Sequence, residues 1–341
     1  MASIARLGTL VLGLGLWVAA QGSPGLAYFY KPPVAVLGAV AADPASFLAH
    51  HYQLIILTHA DEGFRDAVRR AGYRGPLLQY IAPNEAEGPG PYASSHAACD
   101  ARYPTYQRTV ADRVGAFCRD LQPHESWFLH DGHGRRLYSR YQSAQGFWRT
   151  TYEMNPASRG WRDYLINRLR QYQAMGWRDG FFLDNVDLTR ARFLRQAPDN
   201  EMAEFPSDPA WCAAEAALLG VLRQAFPHTA LWANLTYDPE TPGGWDGYLP
   251  DLDGVMVEDF ALGWRRSPLP AAARRGQWSN IRAAHRAGKG LLLVAQGGRE
   301  DGARRQCTLQ LASSLVDGGA PVYYRYNDAD SDDYRQIWWP Q

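Results

Sequence analysis

An excess of charge of either sign is missing from this chain: Lys plus Arg and Asp plus Glu both number 35 in 341 residues. A balanced chain carries no electrostatic footprint for nucleic acid or an anionic membrane surface, so neither is expected as a partner. Cysteine is scarce, limited to Cys99, Cys118, Cys212 and Cys307. No two of them stand at metal-ligand spacing, which excludes a zinc site and leaves one or two disulfides or plain buried thiols. No Gly-x-Ser-x-Gly turn occurs, and Ser94-Ser95-His96 has no strand leading into it, so serine nucleophile chemistry has no support. A Gly-rich phosphate turn after the first strand is also absent, against a dinucleotide-binding open sheet. Internal repeats are absent too. These gaps remove several function classes before any motif is read.

Residues 1–22 carry one positive charge, Arg6, then an apolar run from Leu7 to Ala20 and small residues at Ala20 and Gly22. This is the layout of a secretory signal peptide. The run is shorter than the roughly 20 residues that span a bilayer, and no cysteine follows it to carry a lipid. The expectation is a secreted or periplasmic chain with no stable membrane anchor after cleavage, its four cysteines in a compartment where disulfides form. Residues 23–341 are expected to be one domain and a monomer.

What is present in abundance is the alternation of short apolar runs with amphipathic segments. Runs at 25–30, 54–57 and 77–81 read as strands, with a helix from Asp61 to Ala71 between the second and third. Residues 83–98, rich in Gly, Pro, Ala and Ser, read as a long loop. Tyr106 to Leu121 reads as helical and Trp127 to Tyr138 as a hairpin turning at its glycines. Residues 83–158 together form an insertion over the mouth of the sheet. The helix Arg159 to Met175 restores the alternation and leads into Gly180-Phe181-Phe182-Leu183-Asp184-Asn185-Val186-Asp187. A loop with Pro198 and Pro206 follows. Further strands are expected at 230–235, 254–260, 290–297 and 321–328, with helices between them. Eight strands separated by helices or long loops predict an α/β fold, a (β/α)₈ barrel with a long insertion after the third strand.

In such a barrel the C-terminal strand ends share one mouth. Here those ends carry Asp184, Asn185 and Asp187, then Asn234, then Glu258 and Asp259, then Gln296, and last Tyr326 with Asn327 and Asp328. A pair of carboxylates on different strands is what glycosidic cleavage requires, one as nucleophile or base and one as proton donor. Asp184, with Asn185 and Asn234 as donors to its oxygens, takes the ionised role. Glu258, reached by the apolar strand Val255-Met256-Val257, takes the proton-donor role, although alternation leaves Asp259 as the other inward choice. Asn185, Asp187, Asn234, Asp259, Gln296, Tyr326 and Tyr80 are the expected substrate contacts. No cofactor is expected, and His130 and His133 read as loop residues, not metal ligands. The 12 Trp and 19 Tyr offer flat faces for sugar rings, though most will be core.

The runs Leu54 to Leu57 and Leu77 to Ile81, the Asn155-Pro156 ahead of Trp161, and above all Gly180 to Val186 resemble secreted bacterial glycoside hydrolases of barrel type. These are the hypothetical glycosyl hydrolase families and the related family 114 of polygalactosaminidases. The resemblance implies a (β/α)₈ barrel, a catalytic Asp184 at the end of the fourth strand, and a poly- or oligosaccharide substrate, an amino-sugar exopolysaccharide among them. Asp184 with Glu258 is similar to the strand-four nucleophile and strand-six acid/base of retaining enzymes acting on α-linked sugars. Asn234 stands where the amylase group has its acid, which argues against that group. A non-catalytic glycan-binding barrel and a metal-dependent hydrolase, with Asp184, Asp187 and Glu258 around a divalent ion, are the alternatives.

Overall fold

The computed structural model describes residues 22–29, 37–38, 41–89, 99, 116–142, 148–236, 244–262, 269–298 and 300–328. The apolar run of residues 7–20, Ser94-Ser95-His96 and most of the helix expected from Tyr106 lie outside the described residues. Eight parallel strands close on themselves: β1 (Gly25–Phe29), β2 (Leu54–Leu57), β3 (Leu77–Ile81), β7 (Gly180–Asp187), β8 (Ala230–Thr236), β9 (Gly254–Val257), β10 (Gly290–Gly297) and β11 (Val322–Asp328). The helices α1 (Pro44–His51), α2 (Glu62–Arg70), α3 (Arg159–Ala174), α5 (Asp208–Ala225), α6 (Ala271–Arg286) and α7 (Gly302–Ser313) fall between them, and the short α4 (Ala191–Leu194) lies in the loop after β7. Closure removes both sheet edges, and with one face filling the barrel and the other covered by helices the strands are apolar on both sides.

Two apolar cores follow from the period of two. Ala27 and Phe29, Leu54 and Ile56, Leu78 and Tyr80, Phe182, Trp232, Met256, Leu292 and Val294, and Tyr323 fill the barrel. The intervening residues, such as Ile55, Phe181, Leu231, Val255 and Leu293, join the larger core between barrel and helices. One inward residue dictates glycine elsewhere: the Trp232 indole lies against the Cα of Gly254 and Gly290, where any Cβ would collide with the ring. Hence both β9 and β10 open on glycine.

Three expectations change on folding. The stretch read as a loop from residue 83 contains a strand, β4 (Glu85–Gly88), which pairs antiparallel with β6 (Trp148–Glu153), itself paired with β5 (Tyr138–Gln142). Glycine, proline and alanine hid it, since cross-strand partners more than sixty residues away leave no local signal. The expected hairpin at 127–138 does turn at its glycines, with the Asp131 amide donating to the Arg135 carbonyl at 2.9 Å and the Leu137 amide to the Leu129 carbonyl at 2.7 Å, but its ladder is only the single bridge His130 to Arg136, and a 3₁₀ turn (Glu125–Trp127) precedes it. The strand expected over 254–260 stops at Val257, and Glu258 opens a turn that positive φ at Ala261 completes. A disulfide joins Cys99 to Cys118, while Cys212 and Cys307 are free thiols.

Candidate active site

Continuing the inward set one step along each strand builds a polar layer on top of the apolar one. Asp184 follows Phe182, Asn234 follows Trp232, Glu258 follows Met256, Gln296 follows Val294, and Arg325 and Asn327 follow Tyr323. The Nδ2 amide of Asn234 donates to Asp184 Oδ1 at 2.9 Å and to Glu258 Oε2 at 3.0 Å. The Tyr80 hydroxyl donates to Asp184 Oδ2 at 2.7 Å. Asp184 therefore has a donor on each oxygen. Asn234 and Tyr80 are buried, whereas Asp184 and Glu258 are part-exposed, as groups that meet a substrate must be. Gln296 donates to the backbone carbonyl of Glu258 at 3.0 Å and so holds the turn in place.

Alternation from Phe182 points Asp184 inward, and a β-bulge directly after it resets the strand. The β7–β8 register slips between Leu183 and Val186, and Asn185 takes φ 55°, a left-handed conformation that asparagine tolerates better than most residues. Contrary to the expectation that it would bond Asp184, its side chain donates to Glu85 Oε1 on β4 at 2.7 Å. The bulge also changes the fate of Asp187. That carboxylate is fully buried against Arg192, which donates Nε at 3.0 Å and Nη2 at 2.7 Å to the one oxygen Oδ2. The structure thus takes Asp187 out of the proposed sugar contacts. It also removes Asp187 from an ion site shared with Asp184 and Glu258; among the described residues no three His, Cys, Asp or Glu side chains are grouped to hold a metal.

Arg192 is the hub of that buried region. Its Nη1 lies 2.7 Å from Glu85 and 3.3 Å from Glu153, joining β4 and β6 to the loop after β7. Desolvation pushes the Glu153 carboxyl up to about 8, with Arg192 opposing the shift. Glu215, bonded to Asn84 at 2.5 Å, is raised well above the ordinary carboxylate range by the same cause. The Arg192 guanidinium is raised, its three acidic neighbours outweighing the burial that would lower it.

Two further expectations are corrected. Tyr326 is fully buried in the outer core, because alternation from Tyr323 turns it away from the mouth and brings Arg325 and Asn327 in. Arg325 Nε donates to Asn327 Oδ1 at 2.6 Å and Nη1 to the Phe29 carbonyl at 3.0 Å. Counting by twos along the eighth strand is the signal that would have found this pair. Asp259 also points outward, where its carboxylate accepts from Gln277 of α6 at 3.1 Å. His130 lies between Glu204 at 2.6 Å and Glu125 at 2.9 Å, and these carboxylates raise it above its ordinary value. Glu85, Glu153 and Arg192 were missed by sequence reasoning, since nothing local joins residues 85, 153 and 192.

The sequence model described as Hypothetical glycosyl hydrolase family 15 matches residues 94–340, well over half of the chain. The chain belongs to that family. It is accordingly a glycoside hydrolase with a carbohydrate substrate. No curated protein matches. Among solved structures, the glycoside hydrolase domain of PelA from Pseudomonas aeruginosa is similar in fold, with a TM-score of 0.53 at 17% identity over 92% of this chain and 98% of that one. A variant of the same PelA domain gives a TM-score of 0.51 at 17% identity, with the same coverage. At such identity the likeness shows the fold alone: this family 15 member is a (β/α)₈ barrel. Among its described residues no helix is long and apolar enough to cross a membrane.

Proposed function

We propose that this glycoside hydrolase cleaves a polysaccharide by a retaining double displacement, with Asp184 as nucleophile and Glu258 as acid/base. The observation that carries the reading is the shared donor. Two oxygens 2.9 and 3.0 Å from one nitrogen lie at most about 5.9 Å apart, and about 5 Å apart if the two N–H bonds diverge at the usual sp² angle. Retaining pairs stand roughly 5 to 5.5 Å apart and inverting pairs at least about 6.5 Å, to admit a water. Glu258 protonates the glycosidic oxygen as Asp184 attacks the anomeric carbon; the C–O bond to the leaving sugar breaks and a glycosyl ester forms. Glu258, now a carboxylate, takes a proton from water, which attacks the same carbon and releases Asp184. Asn234 and Tyr80 hold the nucleophile in line, and Asn185 stands next to it at the bulge.

The chain acts outside the cytoplasm, secreted or periplasmic, as a monomeric domain over residues 23–341 after loss of the signal at 1–22. The apolar run Leu7 to Ala20 and the Cys99–Cys118 disulfide support export, since disulfides persist in oxidising compartments. In this reading the insertion between β3 and β7 covers the mouth; the Glu85–Arg192 ion pair, which joins β4 to the segment after β7, supports it. An amino-sugar exopolysaccharide is the proposed substrate class, on the resemblance carried by Gly180 to Val186.

The test is reducing-end release from a panel of bacterial and plant polysaccharides, galactosamine-rich ones included, by the wild type, Asp184→Asn and Glu258→Gln. Release by the wild type alone, with the first-formed anomer matching the substrate by proton NMR, is the expected outcome. The opposite anomer would establish inversion. Tight binding of one glycan without any release would make the barrel a recognition protein.

A further inference from the structure

On the outer face of α6, away from the mouth, Arg274, Arg275, Trp278, Ser279, Arg282 and Arg286 line a groove of about 540 Å³. The four arginines are exposed, and among the described residues none has an acidic partner. Helix α6 contains no Asp or Glu in its 16 residues. Apart from Arg286, whose place in the last turn suits the helix dipole, these charges do little for the helix itself. Arg282 and Arg286 are like charges one turn apart, which costs a few tenths of a kcal/mol. Arg274 and Arg275 lie near the N-terminal end, where the helix dipole disfavours cations, and Pro270 supplies no side-chain cap. The chain as a whole is neutral, so the cluster is a local concentration.

The groove is firmly founded. Trp278 is half-buried with its ring edge-on to Phe260 at 5.8 Å, and the Arg282 guanidinium stands 5.6 Å from the indole centroid. Beneath it, buried Gln277 accepts from the Ala261 amide at 3.0 Å and donates to Asp259, clamping the helix to the turn after β9. Along the axis the distance from Arg275 to Arg286 is about 16 Å.

We propose that this groove binds a uronate-bearing polysaccharide, its carboxylates paired with the guanidinium forks and a sugar ring packed at Trp278. Guanidinium groups match carboxylates in a bidentate geometry, and an indole offers a sugar its flat apolar face. The choice of a glycan rests on the family; binding here does not depend on which residues catalyse. A single-stranded nucleic acid would need several stacking platforms, and this groove has one. An anionic membrane held by charge alone would leave the groove and Trp278 without a role, and among the described residues the one exposed large apolar side chain that could insert, Met175, lies far off at the end of α3.

The experiment is affinity electrophoresis of the full chain through gels containing polygalacturonate or neutral dextran, in an Asp184→Asn background to prevent turnover. The comparison is the same chain carrying Arg275→Ser, Arg282→Ser and Arg286→Ser together. Expected are retardation by polygalacturonate and none by dextran, at least a tenfold loss of affinity in the triple variant, and a shallower dependence on salt. The triple variant keeps its melting temperature, since the substituted side chains are exposed. No retardation, retardation unchanged in the triple variant, or tighter binding of duplex DNA or phosphatidylglycerol vesicles each overturns the proposal. Because Asp184 is replaced throughout, a failed mechanism at the mouth leaves this result standing.

Discussion

Asp184 and Glu258 share one hydrogen-bond donor, the Nδ2 amide of Asn234, although the three residues come from three successive barrel strands and turns. An oxygen at that position would face two carboxylates, so the chemistry itself fixes which way the Asn234 amide points. The geometry makes Asn234 the piece that spaces the two groups.

Asn234→Ala is expected to lower kcat by about 10²-fold, in the range found when one preorganised donor is removed, with a smaller effect on KM. Steady-state kinetics on the best substrate of the panel measures this. Equal losses in kcat and substrate binding would show that Asn234 only shapes the pocket.

Arg192→Met leaves Asp187, Glu85 and Glu153 buried together without their cation. Breaking a buried pair from one side costs about 3–5 kcal/mol, so the urea midpoint falls sharply. Arg192→Lys restores only part of it, because a point charge cannot reproduce the two-nitrogen contact with Asp187. A midpoint unchanged in Arg192→Met would mean that the carboxylates simply take up protons.

Asn185 is the residue on which the bulge turns. Asn185→Gly keeps the left-handed backbone and loses only the bond to Glu85, whereas Asn185→Val adds about 1–2 kcal/mol of conformational cost. Activity is expected in the order wild type, Gly, Val, with Val lowest because the strain is relieved by moving Asp184. Comparable activity in both variants would separate the bulge from the aim of Asp184.

Stability should fall as pH rises from about 5 to 9. Glu153 is raised from 4.5 to about 8 by burial, so the folded chain holds a proton that the unfolded chain releases, and the cost of burial grows through that window. His130 is raised above 6.5 by Glu204 and Glu125; its contribution is complete below 6.5 and is lost as pH passes its higher folded value. Both slopes have the same sign. Glu153→Gln and His130→Gln should each flatten the melting temperature against pH, and a wild-type profile that rises across the range would contradict both assignments.

Much of the architecture was legible because a barrel strand advertises itself: apolar runs such as Leu54-Ile55-Ile56-Leu57 need no partner to be recognised. Alternation limited the inward carboxylate after Met256 to Glu258 or Asp259, and the fold chose Glu258, with Asp259 bonded outward to Gln277. Tyr326 was misplaced only because its type suggested a sugar contact while its position in the strand said otherwise. The antiparallel strand Glu85–Gly88 was not legible, since its partner Glu153 is separated from it by a segment of no fixed local pattern.

By itself, the sequence determined the barrel and the inward phase of its regular strands, because the period of two is a local property of each strand and closure makes it common to all eight. Only the tertiary structure decided which of those side chains meet. The slip at Leu183/Val186 turned Asp187 toward Arg192, while Asp184, inward by alternation, met Asn234 and Tyr80. The meeting of Glu85, Glu153 and Arg192 arose from long-range packing. A bulge and a buried ion cluster each depend on contacts between distant segments, and such contacts have no energy until the chain has closed.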